Sequence, residues 1–238
     1  MAKLVIALDV REEQHLEFLV QSLRGKPVWM KVGLEALSTF GLGLAERLIS
    51  EGYRVFADVK YHDIPNTVGA ASRVITRTGA SMFNVHCSGG RAMCEAARTS
   101  SEEEAEVLGI PRPLVLGVTV LTSLSGEDLE KMGISGSPAE AALRLAKVGQ
   151  EGGLDGVVAS VHEAAAIKEA CGPDFKVLTP GIRLAGGDAQ DQKRVATPAG
   201  AVAAGSDFLV VGRPVTQSTD PGAACEEILA QMEGAARG

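Results

Sequence analysis

The stretch FADVKYHDIPNTV, residues 56–68, sets Asp58, Lys60, His62 and Asp63 directly behind an apolar run. Residues two apart share one face of a strand, so Asp58 and Lys60 project together. Asp63 lies beyond the strand, where Asp63-Ile64-Pro65 turns the chain into a helix beginning near Asn66. Carboxylates crowded around one ammonium favour the charged lysine. That argues against a Schiff-base lysine, which must act as a neutral amine, and against a magnesium ion, which the ammonium would repel. A proton donor held in its charged form fits better. For a D-x-K taken alone, a structural salt bridge is the plain alternative, and the rest of the chain has to decide.

A second group of candidates lies late in the chain. The segment TPGIRLAGGDAQDQKRVATPAGA is long and glycine-rich, and LVVGRPV follows it. Gly212 exposes its backbone N–H, and Arg213 offers a planar fork that suits phosphate oxygens. Gln192 is a neutral donor from the same long loop. His86 stands at a strand end, where a structural hydrogen bond outweighs a catalytic part. His15 and His162 read as solvent-facing or capping residues, GLG at 41–43 as a helix–helix connection, and SSEEEAE at 100–106 as a solvated helix face.

Strands must position these residues. Short apolar runs suit strands at Leu4–Leu8, Val28–Val32, Arg54–Val59, Met82–Val85, Leu114–Val118, Gly156–Ala159, Lys176–Leu178 and Phe208–Val211. Between them lie segments such as PAEAALRLAKVGQEG, apolar near a 3.6-residue period. Such alternation predicts parallel strands with right-handed crossovers. Eight units in 238 residues favour a single (β/α)8 barrel spanning residues 1–238 over an open doubly wound sheet. The functional face of such a barrel is the C-terminal end of its strands. Those ends read Asp9, Lys31, Asp58 with Lys60, His86, Thr119 to Ser123, Ser160, Pro180-Gly181 and Gly212-Arg213. Scattered surface charges would not choose one edge so regularly. The loops after the last two strands commonly form a phosphate site in such barrels, which strengthens the reading of Gly212 and Arg213.

Composition bounds the partners. A formal net charge of −7 argues against a nucleic-acid backbone and leaves room for a small anionic ligand. No segment approaches the length of a membrane span or has the form of a signal peptide. The four cysteines show no C-x-x-C spacing and read as buried thiols. A cytoplasmic protein is expected.

The motifs ALDV, MKVG, FADVKYHDIPNTV, VTVLTS, TPGIR and VGRPV, spread nearly end to end, resemble those of the bacterial orotidine 5′-phosphate decarboxylases. The resemblance implies that Lys60 gives a proton to C6 of the pyrimidine and that Asp58 sits beside the departing carboxylate. Lys31 would bridge Asp58 and a ribose hydroxyl, with Asp9 also on the ribose. Thr122 with Ser123 would read the pyrimidine edge. Gln192, Gly212 and Arg213 would hold the phosphate, with Arg183 and Pro180 alongside. It implies no cofactor, and a homodimer in which Asp63, Ile64 and Thr67 reach the partner's site. Two alternatives stay open: a magnesium-dependent sugar-phosphate relative with a similar D-x-K-x-x-D block, and a phosphate-ligand binding protein without catalysis.

Overall fold

Eight runs rich in valine, leucine and isoleucine become eight parallel strands, and the run next in sequence is the neighbour in space. The computed structural model describes residues 1–183 and 196–236. The strands are β1 (Lys3–Ala7), β2 (Val28–Val32), β3 (Arg54–Tyr61), β4 (Met82–His86), β5 (Leu114–Val118), β6 (Gly156–Val158), β7 (Lys176–Thr179) and β8 (Phe208–Val211). They pair in sequence order and close through β1 with β8 into a (β/α)8 barrel. The expected strands match these to within two residues.

The helices are α1 (Glu13–Ser22), α2 (Leu34–Phe40), α3 (Gly43–Ser50), α4 (Pro65–Arg77), α5 (Arg91–Leu108), α6 (Gly126–Lys131), α7 (Pro138–Glu151), α8 (Val161–Cys171), α9 (Pro198–Ala203), α10 (Arg213–Thr216) and α11 (Pro221–Ala236). Gly41-Leu42 joins α2 to α3, as GLG suggested. Pro65, Pro138 and Pro198 stand in the first turns of α4, α7 and α9, where a missing N–H costs nothing. Ser125, Ser137 and Ser160 open α6, α7 and α8 with reciprocal caps to Asp128, Glu140 and Glu163.

Strand parity divides the core. Leu4, Ile6, Met30, Val55, Leu209 and Val211 pack outward against helices, as do Phe83, Val115, Val157 and Val177. Val5, Ala7, Trp29, Phe56, Met82, Leu116, Leu178, Phe208 and Val210 fill the interior. Trp29 meets Phe208 edge-on at 5.2 Å between ring centroids. The four cysteines are free and buried. Among the described residues no helix is long and apolar enough to cross a membrane.

One surface expectation fails. In SSEEEAE, Ser101, Glu104 and Ala105 are buried against α4. Glu104 accepts from Arg77 at 2.7 and 3.3 Å, and Glu103 pairs with Arg73 at 2.5 Å. A run of like charges in α5 is thus half solvated face and half ion-pair seam, because its cationic partners lie one helix earlier.

Candidate active site

Three adjacent strands carry polar side chains into the barrel mouth. Trp29, Phe56 and Met82 plug the interior from β2, β3 and β4. Two residues further along the same faces come Lys31, Asp58 and Asn84, all buried. The polar cluster therefore rests on an apolar floor that excludes water from below.

Asp58 is the hub. Its Oδ1 accepts from Lys60 Nζ at 2.5 Å and from Asn84 Nδ2 at 2.7 Å. Its Oδ2 lies 3.2 Å from Lys31 Nζ, which also donates to Asp9 Oδ1 at 3.0 Å. Burial alone would raise the Asp58 pKa. The ammoniums of Lys31 and Lys60 and the bonds from Lys60 and Asn84 outweigh it and lower the carboxyl to about 2. Burial likewise pushes the Lys31 ammonium down, but Asp58 and Asp9 together hold it above the usual lysine range. Alternating charges from Asp9 to Lys60 keep two cations and two anions in a small volume. Gly33 makes room for them: a Cβ there would stand 2.5 Å from Lys31 Nζ.

Lys60 reaches Asp58 along an irregular backbone. Parity places the two side chains on one face, yet regular pairing of β3 with β4 is interrupted between Ala57 and Tyr61, a gap that contains both residues. Ala57 aligns with Phe83 and Tyr61 with Val85, so β3 carries two more residues than β4 across this gap. Lys60 has φ 49°, the one positive value among the described non-glycine residues. For a side-chain-bearing residue the left-handed region costs roughly 1–2 kcal/mol. The Lys60 N–H, deprived of a strand partner, donates to Asn84 Oδ1 at 2.8 Å.

The mouth opens into a cleft of about 840 Å³. Asp9, Lys31, Asp58, Lys60, Thr122, Ser123, Pro180, Arg183, Gly212 and Arg213 all line it, so these sequence candidates from six strand ends converge. Gln192 lies outside the described residues. Asp63, Ile64 and Thr67 do not line the cleft; they are exposed on the turn after β3 and in the first turn of α4. Asp63 accepts from the N–H of Ile64 at 2.7 Å and is not a partner of Lys60 within this chain. The expected crowding of Lys60 by two carboxylates is therefore met by Asp58 alone in one chain, because the turn carries Asp63 away.

Other strand-end residues serve the frame. Thr119 Oγ1 donates to the Val158 carbonyl at 2.8 Å, and Ser160 is the cap of α8. His86 stacks on His62 with centroids 5.2 Å apart. Burial, His62 and Lys60 hold the His86 pKa below its usual value, against an opposing pull from Asp58. His15 bonds the Thr216 carbonyl at 2.8 Å and ties α1 to α10. Among the described residues no group of three or more His, Cys, Asp or Glu side chains is placed to hold a metal ion.

Asn84 is the residue that the sequence reading passed over. Its signal was present: parity in MFNVH puts Asn84 on the same face as Met82, and a lone amide on an interior face needs partners.

Known proteins share this arrangement's frame. The orotidine 5′-phosphate decarboxylase / HUMPS family model matches residues 2–228. Orotidine 5′-phosphate decarboxylase of Hydrogenovibrio crunogenus is 48% identical over 230 residues, 97% of this chain and 95% of that protein. The protein of the same name from Moorella thermoacetica is 47% identical over 232 residues, covering 97% and 92%. The crystal structure of orotidine 5′-phosphate decarboxylase from Lactobacillus acidophilus superposes with a TM-score of 0.85 at 34% identity, covering 98% of this chain and 99% of that one. This chain therefore belongs to the orotidine 5′-phosphate decarboxylase / HUMPS family of enzymes.

Proposed function

We propose that this chain is an orotidine 5′-phosphate decarboxylase, converting orotidine 5′-phosphate to UMP and carbon dioxide without a cofactor. The observation that carries the reading is a buried carboxylate, Asp58, held between two ammoniums at the floor of a nucleotide-sized cleft. Asp58 stands beside the substrate carboxylate. Breaking the C6–carboxylate bond leaves its electron pair on C6, where the fixed charge of Lys60 stabilises it as it develops. The Lys60 Nζ–H bond then breaks, a C6–H bond forms, and the lysine is left as an amine. Lys31 and Asp9 hold the ribose, and Thr122 with Ser123 reads the ring edge. Gly212, Arg213 and Gln192 take the phosphate beside Pro180 and Arg183. Binding energy from that remote group can drive closure and raise reactivity at the ring.

Loss of orotidine 5′-phosphate absorbance, followed with and without excess EDTA, tests the reading. Equal rates are expected. A rate lost to the chelator and restored by magnesium would move the chain to its sugar-phosphate relatives.

The working unit is a homodimer in the cytoplasm, in which Asp63, Ile64 and Thr67 complete the partner's site. Asp63, Ile64 and Thr67 are all exposed on the turn after β3 and the first turn of α4, where a second chain could reach them. Inactive Lys60→Ala and Asp63→Asn chains, refolded together in equal amounts, should regain about a quarter of wild-type activity, because half the dimers then hold one intact site. No recovery, with mixed dimers confirmed by mass, would sink the shared site.

A further inference from the structure

Asn84 bonds to both ends of the catalytic lysine's tether. Its Oδ1 accepts the backbone N–H of Lys60 at 2.8 Å, and its Nδ2 donates at 2.7 Å to the Asp58 oxygen that Lys60 Nζ also contacts. Chemistry fixes the amide's orientation. A backbone N–H can only donate and a carboxylate can only accept, so Oδ1 must face Lys60 and Nδ2 must face Asp58. Both amide bonds are made in the dry interior, where Asn84 has no exposed surface.

We propose that Asn84 is a positioning residue that sets the place of the Lys60 ammonium over the reacting carbon. The geometry gives it two tasks. Across the gap between Ala57–Phe83 and Tyr61–Val85 there is no regular strand pairing to hold residue 60. The amide substitutes for the missing ladder partner and stabilises the left-handed turn at Lys60. It also pins Asp58 Oδ1, so the anchor of the ammonium is itself fixed. A lysine side chain has four rotatable bonds, and here its root and its tip are tied to one amide–carboxylate unit. When Lys60 gives up its proton, the Asp58 oxygen loses an ammonium partner, and the Asn84 N–H keeps it satisfied until reprotonation.

This inference rests on Lys60 being the proton donor, and the test separates the two ideas. In Asn84→Ala, kcat should fall by about 100-fold, the usual cost of misplacing a reacting group by an ångström or so. The affinity for UMP, measured by calorimetry, should stay within about threefold, because ring, ribose and phosphate contacts remain. A folded Asn84→Ala protein with kcat near wild type, or with matching losses in kcat and UMP affinity, would overturn the positioning role. Were Lys60→Ala to turn over normally, the proton-donor reading would fall instead.

Should Asn84→Ala not fold, Asn84→Asp carries the test. The introduced carboxyl keeps an acceptor for the Lys60 N–H. Protonated, it can also donate to Asp58; ionised, it repels that carboxylate. Its pKa should lie above the usual range through burial and the adjacent Asp58, with Lys31 and Lys60 opposing. The kcat of the variant relative to wild type should therefore rise at least about tenfold from about pH 8 to about pH 5.5. Taking the ratio removes titrations shared with wild type, including that of His86. A folded variant with kcat near wild type and a flat ratio would show that donation to Asp58 is not needed.

Discussion

At the N-terminal end of the barrel, Arg112 grips Asp155 through bonds of 2.8 and 2.6 Å, and Asp155 Oδ2 also accepts the backbone N–H of Val115 at 2.7 Å. Asp207 repeats the device two strands on, paired with Lys168 at 2.7 Å and accepting from Val177 N–H at 2.8 Å. Each aspartate directly precedes a strand, and its own N–H donates back to the same valine's carbonyl, at 3.0 Å from Asp155 and 2.8 Å from Asp207. At the C-terminal end Asp58 is also a carboxylate among cations, yet its carboxylate is held by side chains: Lys31, Lys60 and Asn84. A carboxylate wired to backbone locks strand to strand. One wired to side chains holds charge where a ligand can use it. Both ends would look alike in a count of salt bridges, and their partners tell them apart.

The sharpest way to break this contrast is to remove one member from each end. Lys60→Ala should lower kcat by a factor on the order of 10⁴ or more, since under the proposed mechanism it removes both the proton donor and a preorganised positive charge. Stability should change little by comparison. Asp155→Ala should do the reverse. It strands the Val115 N–H and the Arg112 guanidinium, at a cost of about 3 kcal/mol. The melting temperature should drop by on the order of 5–10 °C at this chain length, with kcat measured well below the transition unchanged. Activity loss in Asp155→Ala matching that in Lys60→Ala would erase the distinction between frame and site.

The two ends also differ in how far the sequence discloses them. The barrel was legible because apolar runs and 3.6-residue patterns alternate eight times, and the cleft followed from reading strand ends in order. Asp58 and Lys60 were placed together by parity, a local rule. What the sequence hid was non-local. Nothing in DVKYH marks Lys60 for left-handed backbone, since lysine has no preference for it; the group that accepts its N–H there, Asn84, comes 24 residues later. Glu104 looked like part of a solvated charge run because its partner Arg77 lies 27 residues away on α4. Asp155 and Asp207 were unremarkable in sequence for the same reason: their function is to reach a neighbouring strand. Asp63 differs again: its closeness to Lys60 along the chain does not become contact within this chain, in keeping with its place beyond the strand.

A smaller effect sharpens the comparison from the side of the proton. Folding holds the Asp58 carboxyl at about 2, below the value of about 3.9 expected in an unfolded chain. A depressed carboxyl favours the folded state wherever it is ionised, so its contribution is complete above the unfolded value and disappears as pH falls through the folded one. The gap of nearly two pH units corresponds to about 2.6 kcal/mol, of which about 2 kcal/mol is lost between about pH 5 and about pH 2. Lys31 has the opposite sign: its raised pKa contributes at all pH values below the ordinary lysine range and is lost only on strong alkalinisation. Acid therefore isolates Asp58. Denaturant unfolding of wild type and Asp58→Asn, run in parallel from about pH 5 to about pH 2, should show the difference in unfolding free energy shifting by about 2 kcal/mol in favour of the variant as pH falls. Carboxylates remote from Asp58 titrate in both proteins and cancel in that difference. A difference that stays constant through this range would mean that the Lys31 and Lys60 ammoniums do not hold the buried carboxyl ionised, and the charge-holding character assigned to the C-terminal end would be lost.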